Sequence, residues 1–422
     1  MEACDASTVR QATLQTHENE LEQGLRAESR VLVSRTIADG WAFSGDGECT
    51  ALPQNPKGAP IPKAACVQPY ELRVREGIVW VWMAPNAPPT AGPPVSPDDL
   101  DANAGDFDVY DFVVELPYDY SYLVENLADP AHIPISHDAT PGGGKRESAE
   151  AYVMEVEASS VSSTGFRGRF RPESKPDGWQ DLIFEAPGIV RYRASRETRL
   201  NKDSVDTAAN FVFGGALHCM PRGEGRSRLL FRTYYSAKGG IPRWARLLLS
   251  LKPLWMRHLN SCKILEQDIR LITSQEDHLA RSGKPFAESG LVVLQSSDRF
   301  VLAYRQWLDR VGHGMPWAVG WQTSSARAPA AVPHVSYPGH RARLSRYERH
   351  VQLSRRSKAS LNTATRVKRA ALGAFAALAA TAWLPLPLPR VAGAVGTLGA
   401  AGVAAAATAV ERAFHQNFVR HP

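Results

Sequence analysis

The sequence predicts an α+β chain, and three observations predict it. Short β-rich runs separated by turn signals occupy the first quarter of its 422 residues. Longer alternating runs then extend to about residue 235. Helical periodicity follows and ends in two apolar segments. Taken in order, Gly45-Asp46-Gly47 marks a tight turn. Tyr70–Arg75 alternates with period two, Ile78–Met83 is a β-rich run, and Gly77 between them has the place of a hairpin turn. A proline-rich linker runs from Pro85 to Pro97, and Phe107–Val114 reads as a strand. Between Ala151 and Tyr235 several strands alternate, among them Gly165–Phe170 and Leu229–Tyr235. Helices are predicted from about Trp255 to Thr273 and around Phe300–Leu308. This order predicts an antiparallel sheet curved around a long helix, with a site enclosed between them.

The chemistry concentrates in Glu125-Asn126-Leu127-Ala128-Asp129-Pro130-Ala131-His132-Ile133-Pro134-Ile135-Ser136-His137. Two neutral imidazoles with one distant carboxylate form the facial triad of non-haem Fe(II) sites, which leaves positions open for O₂. If Asp129 caps a helix, Pro130 falls in its first turn, where a missing N–H costs nothing. Residues five apart on an ideal helix diverge by about 140°. A break at Pro134 would let both rings turn toward one ion.

The pattern Asn-x-x-Asp-Pro-x-His-x-Pro-x-x-x-His resembles the mononuclear-iron motif of Rieske-type oxygenases. It is most similar to the pheophorbide a oxygenase group, which includes chlorophyllide a oxygenase and a translocon-associated protein of the inner chloroplast envelope. The resemblance implies that His132 and His137 are iron ligands. It also implies that Asp129 bridges electrons from a neighbouring subunit's cluster, and that Asn126 lies near the iron. The third ligand comes from a downstream helix in that family, and here the matching segment is Lys263–Ile272. On spacing alone Glu266, Asp268 and Arg270 read as a solvated face beside a core stripe of Leu265, Ile269 and Ile272. The resemblance to a Glu/Asp-Gln-Asp element selects Asp268, with Glu266 and the pair Glu276-Asp277 as alternatives.

The same family binds a 2Fe–2S cluster through two Cys and two His. Gly40–Gln54 resembles the strand that follows the second ligand pair, but Thr36 stands at the Cys position and Asp39 at the His position. Upstream, His17 and Gln15 align with the first pair. Two readings stay open: the residues before Gly40 are not the native exon, or the chain has lost its cluster. The five cysteines show no Cys-x-x-Cys spacing, which fits a reducing compartment without structural disulfides. Ser354 and Ser357 stand where the family often carries a redox Cys pair.

Net charge is +6, and the excess concentrates between Arg341 and Arg369, where ten Lys or Arg face one acid, Glu348. That stretch runs straight into apolar sequence, so a membrane-proximal segment is expected rather than nucleic-acid binding. The segments Ala370–Leu384 and Val391–Val410 flank a Pro-Leu run, and Gly393, Gly396, Gly399 and Gly402 recur every third residue. A membrane hairpin packed through small residues is predicted. The N-terminus is uninformative about targeting: transit peptides are poor in acids, and this stretch carries several, such as Glu18, Glu20 and Glu22.

The expected divisions are 1–39, a divergent N-terminus; 40–95, a remnant of a Rieske-type domain; and 96–320, the catalytic domain of helix-grip form. A basic linker at 321–369, the hairpin at 370–410 and a tail at 411–422 complete them. The resemblance implies an O₂-dependent monooxygenase of a chlorophyll-derived tetrapyrrole at a thylakoid or envelope membrane, fed by ferredoxin and assembled as a trimer. The alternative is a non-catalytic or electron-uncoupled homologue, such as an envelope translocon-associated redox component.

Overall fold

The computed structural model describes residues 40–416, apart from 45–46, 68–69, 83, 85–87, 141–142, 197–210, 223–224, 237–250, 252, 283–287, 289, 291, 295, 312–344 and 382–389. The positions Gln15, His17, Thr36 and Asp39 therefore lie outside the described residues. The chain divides into two compact units, Met1–Ala104 and Gly105–Pro422.

The first unit contains two small antiparallel sheets. One pairs β1 (Ala42–Phe43) with β2 (Cys49–Ala51), and the other pairs β3 (Leu72–Arg75) with β4 (Ile78–Val81). The predicted hairpin forms in register, with Arg75 opposite Ile78. Its two-residue turn has positive φ at both Glu76 (52°) and Gly77 (71°), the primed turn whose twist suits a hairpin. Glu76 tolerates that backbone because its buried carboxylate is held, accepting from the Ser96 hydroxyl at 2.6 Å and from the Ser96 and Leu100 amides at 2.9 and 3.1 Å.

The second unit is built on a seven-stranded antiparallel sheet in the order β5-β11-β10-β9-β8-β7-β6. These strands are β5 (Phe107–Leu116), β6 (Tyr152–Val156), β7 (Gly165–Pro172), β8 (Gln180–Glu185), β9 (Ile189–Arg196), β10 (Phe211–Pro221) and β11 (Ser227–Ser236). The first strand pairs with the last because β5 lies beside β11, Val114 opposite Leu229. Helices α1 (Tyr120–Leu127) and α2 (Ile133–Ser136) follow β5, and α3 (Leu254–Ser282) follows the sheet. At 29 residues, α3 is about 43 Å long and packs against β5 and α1. Its buried stripe includes Cys262, Leu265, Ile272 and Leu279, with Ile269 half-buried beside them. Helix α4 (Arg299–Val311) packs Phe300, Tyr304, Trp307 and Leu308 into the same core over β6 and β7. Gly168 on β7 makes that approach possible: a Cβ there would meet the Phe300 ring at 2.4 Å and the Glu155 carbonyl at 2.5 Å.

Two long helices, α5 (Arg355–Thr381) and α6 (Arg390–His415), pack on each other. Among the described residues one helix is long and apolar enough to cross a membrane, over Gly393–His415. It coincides with the second of the two predicted spanning segments; the first, 370–384, ends in residues 382–389, outside the described ones. The apolar residues after Ala370 continue a helix whose first half carries Arg355, Arg356, Lys358, Arg366, Lys368 and Arg369. The glycine face is corrected. A Cβ on Gly396 would touch Leu378 at 3.2 Å, whereas Gly393, Gly399 and Gly402 have nothing within 4 Å. A three-residue repeat drifts around a helix of 3.6 residues per turn, so it does not keep one face.

Candidate metal centre

Helix α1 starts at the Asp119 N-cap, which accepts from the Ser121 amide at 2.9 Å. It stops before Asp129, whose α conformation is disfavoured by the following Pro130. The sequence expectation that Asp129 caps a helix with Pro130 in its first turn is not met. Asp129 instead closes a local turn by accepting from the Ala131 amide at 2.8 Å. The helix begins at Ile133, and it is Pro134 that sits in its first turn, where no partner for an N–H is lost. His132 and His137 flank this single turn, at φ −70° and −114°, rather than riding on it. That placement brings their rings to 5.3 Å between centroids at an angle of 75°.

Asp268 arrives from α3. It lies on the apolar stripe, three residues after Leu265 and four before Ile272, and is 2% exposed. Its Oδ1 is 3.3 Å from His137 Nε2 and 3.9 Å from His132 Nε2. The three donor groups all lie within 4.8 Å of one another. Asn126 on α1 donates to Asp268 Oδ2 at 3.1 Å, so Oδ1 is the oxygen turned toward the rings. His137, 1% exposed, has Nδ1 at 2.9 Å from Gln267 Oε1, and Gln267 Nε2 donates to the Thr140 hydroxyl at 3.1 Å. The acceptor on Nδ1 places the ring proton there and leaves the Nε2 lone pair facing Asp268. His132 Nδ1 stands 3.3 Å from Asp129 Oδ2. The loop after His137 can lie against it because Gly143 has no side chain: a Cβ there would meet the His137 carbonyl at 2.2 Å.

Electrostatics match this arrangement. Burial raises the Asp268 carboxyl above its ordinary range, partly offset by both imidazoles and by Asn126. Burial likewise lowers the His137 imidazole. At His132 burial works against the charged ring, yet Asp129 and Asp268 raise it. His137 Nε2 and Asp268 Oδ1 are buried atoms without a hydrogen-bond partner. Unpartnered buried polar atoms that face one another fit a cation between them. Two imidazole nitrogens and one carboxylate oxygen suit a first-row divalent ion with positions left open.

The alternative carboxylates go elsewhere. Glu266 is turned away, binding Arg346 at 2.8 and 2.6 Å, Arg349 at 3.5 Å and His350 at 3.1 Å. Burial opposes its charge, but those three partners hold its carboxyl down at about 2. Neither Glu276 nor Asp277 joins a cluster with two histidines among the described residues. The sequence reading missed the roles of Gln267 and Gly143. The Pro-Gly-Gly-Gly run after His137 was the available signal for the second, since such runs allow close backbone approach. A cavity of about 210 Å³ beside the centre is lined by Asn126, Asp129, Tyr122, Ile272, Asp298 and Val301, among others. Away from the cavity, Trp179 lies under Arg169 and Arg171, and Trp255 packs on Phe414.

Residues 184–285 match the family model for pheophorbide a oxygenase. Protein TIC 55, chloroplastic, of Arabidopsis thaliana is 40% identical over 302 residues, covering 70% of this chain and 52% of the relative. Pheophorbide a oxygenase, chloroplastic, of the same plant is 27% identical over 372 residues, covering 82% and 64%. Chlorophyllide a oxygenase, chloroplastic, of Oryza sativa subsp. japonica is 25% identical over 281 residues, covering 65% and 45%. The chain spans about half the length of the TIC 55 relatives it matches. On these matches, with the two-histidine, one-carboxylate centre, the chain belongs to the Rieske-type oxygenase family, within the group that carries the pheophorbide a oxygenase domain.

Proposed function

We propose that this protein is a chloroplast membrane component that keeps the mononuclear iron centre of its family and works as a redox component of the TIC 55 kind. The observation that carries the iron site is the convergence of His132, His137 and Asp268, with His137 Nε2 and Asp268 Oδ1 buried and unpartnered. Ferrous iron bound there would supply open positions for O₂. The remaining work belongs to the chain. Gln267 fixes the His137 tautomer, Asn126 aims Asp268, and the α3 stripe excludes water from the carboxylate. Asp129 is assigned the electron-bridging role, because its carboxylate meets His132 Nδ1 on one side and borders the cavity on the other.

The higher identity to TIC 55 supports this reading over a dedicated tetrapyrrole monooxygenase. Thr36 and Asp39 cannot ligate a 2Fe–2S cluster, so with this sequence Asp129 would take electrons from an external donor rather than from a cluster held at those positions. Membrane association is supported by the apolar helix over Gly393–His415 and by the basic first half of α5. The match to the pheophorbide a oxygenase domain favours a second reading, O₂-dependent oxidation of a chlorophyll-derived tetrapyrrole with ferredoxin as donor.

Anaerobic loading of the full chain with Fe(II), followed by metal analysis, tests the centre. One iron per chain is expected, lost in His137→Ala and in Asp268→Ala. Iron retained by both variants would overturn it. Oxygen uptake by the loaded protein with reduced ferredoxin and pheophorbide a would decide for the second reading.

A further inference from the structure

We propose that His258, Cys262 and His350 form a second metal site, separate from the iron centre, that binds monovalent copper. His258 and Cys262 stand four apart on α3 and so share one face. The π-helical turn Tyr347–Val351 brings His350 onto that face. All three are buried, at 4%, 0% and 0% exposure, and their donor atoms lie within 4.8 Å of one another. His258 Nε2 is 2.8 Å from His350 Nδ1 and 3.8 Å from Cys262 Sγ. The group is distinct from the iron centre: Cys262 precedes Asp268 by six residues, about 9 Å along the helix.

One ring is already oriented as a ligand is. His350 Nε2 lies 3.1 Å from Glu266 Oε1, and Glu266 is itself gripped by Arg346 at 2.8 and 2.6 Å. A carboxylate on the far nitrogen fixes the tautomer that leaves Nδ1 as the donor, and it raises the basicity of that nitrogen. The same acid would otherwise be read as a third-ligand alternative for iron, so its position on the His350 side is informative.

Donor type and charge choose the ion. One thiolate with two imidazoles in a trigonal set is the soft combination that selects copper. Around the cluster, Arg346 and Arg349 carry two positive charges against the single negative charge of Glu266. Monovalent copper displaces the Cys262 thiol proton to solvent, so the Cu(I)–thiolate pair adds no net charge to this dry, already positive pocket. A divalent zinc ion would add one more positive charge, which burial penalises. Apolar packing closes the site: the Phe112 ring meets His258 edge-on at 5.8 Å, and Leu259, Val351, Leu361 and Phe414 form a buried cluster alongside. Two nitrogens each about 2 Å from a trigonal ion stand about 3.5 Å apart. The His258–His350 contact must therefore open by a fraction of an ångström. A tilt of either ring suffices, because the rings come from different elements.

The experiment is anaerobic titration of the full chain with Cu(I) in competition with a chromophoric Cu(I) chelator. One tightly held Cu(I) per chain is expected. Cys262→Ala and His350→Gln should each weaken binding at least tenfold, while His132→Ala should leave it unchanged. His350→Gln keeps an amide donor for Glu266, and circular dichroism of both variants separates loss of a ligand from loss of the fold. Absence of a tight site, affinity unmoved in folded Cys262→Ala and His350→Gln, or preferential filling of these residues by Zn(II), would overturn the proposal. In the first two cases the cluster is a hydrogen-bonded relay from His258 to Glu266. Iron content is measured in the same samples, so this outcome is read independently of the iron centre.

Discussion

Gln267 Oε1 lies 2.9 Å from His137 Nδ1, and the two residues sit 130 positions apart in the chain. The contact joins the residue beside Asp268 to a ring that faces Asp268. One helix thus supplies both the carboxylate and the group that orients its histidine neighbour. Successive helical residues point about 100° apart, so Gln267 and Asp268 can grip the same ring from two sides.

That relationship predicts the behaviour of Gln267→Leu. The substitution removes the acceptor for His137 Nδ1–H and frees the ring to turn or to change tautomer, while Asp268 stays in place. Partners of this kind commonly carry about 10–100-fold in metal affinity. Fe(II) affinity of the folded variant should fall by that amount, measured by competition with a chelator. An affinity equal to wild type would mean that Gln267 only fills space.

Asp129→Asn separates bridging from binding. The amide oxygen can still accept from the Ala131 amide, so the local turn should persist. The charge beside His132 Nδ1 is lost. Because the amide oxygen can also still face His132 Nδ1, iron content should stay within about threefold of wild type, well short of the roughly 10–100-fold loss that follows removal of a ring partner, whereas reduction of the ferric centre by reduced ferredoxin should slow. Stopped-flow absorbance follows the reduction, and an unchanged rate would withdraw the bridging assignment.

Much of this was legible in the sequence, and the failures have physical causes. The hairpin around Gly77, the strands near Phe107 and Leu229, and helices α3 and α4 follow from local periodicity, which a sequence displays directly. Asp268 could be chosen only by resemblance, because an acid beside an apolar stripe looks the same whether it meets water or an ion. Glu266 looked like its equal. The pairing of Glu266 with Arg346, Arg349 and His350 spans 80 or more residues, and no local pattern encodes it. The glycine repeat misled for the opposite reason: it is local, but its period of three does not match the helix, so only Gly396 meets Leu378.

Gly168→Ala tests the fit of α4 on the sheet. The added methyl would sit 2.4 Å from the Phe300 ring and 2.5 Å from a backbone carbonyl on the neighbouring strand, so one or both must move. Overpacking of this kind costs about 1–3 kcal/mol. Urea unfolding should show a lower midpoint with an unchanged slope. A midpoint at the wild-type value would show that α4 shifts freely.

His218 sets an acid limit on stability. It is buried on β10, and burial first, then Arg191 and Arg232, push its imidazole down to about 3. In the unfolded chain the same ring titrates near 6.5. The unfolded state therefore takes up a proton first as the pH falls. The contribution of neutral His218 is fully present above about pH 6.5 and drains away progressively as the pH drops toward 3. Each unit of that window corresponds to about 1.4 kcal/mol at most. His218→Gln has no such titration, so the stability difference between wild type and variant should change with pH below 6.5, in favour of the variant, and be flat above it. Other buried histidines, such as His258, titrate in both proteins and cancel in the difference. Urea unfolding at pH 7.5, 6.5 and 5.5 measures it, and a pH-independent difference would place the His218 ring in contact with water.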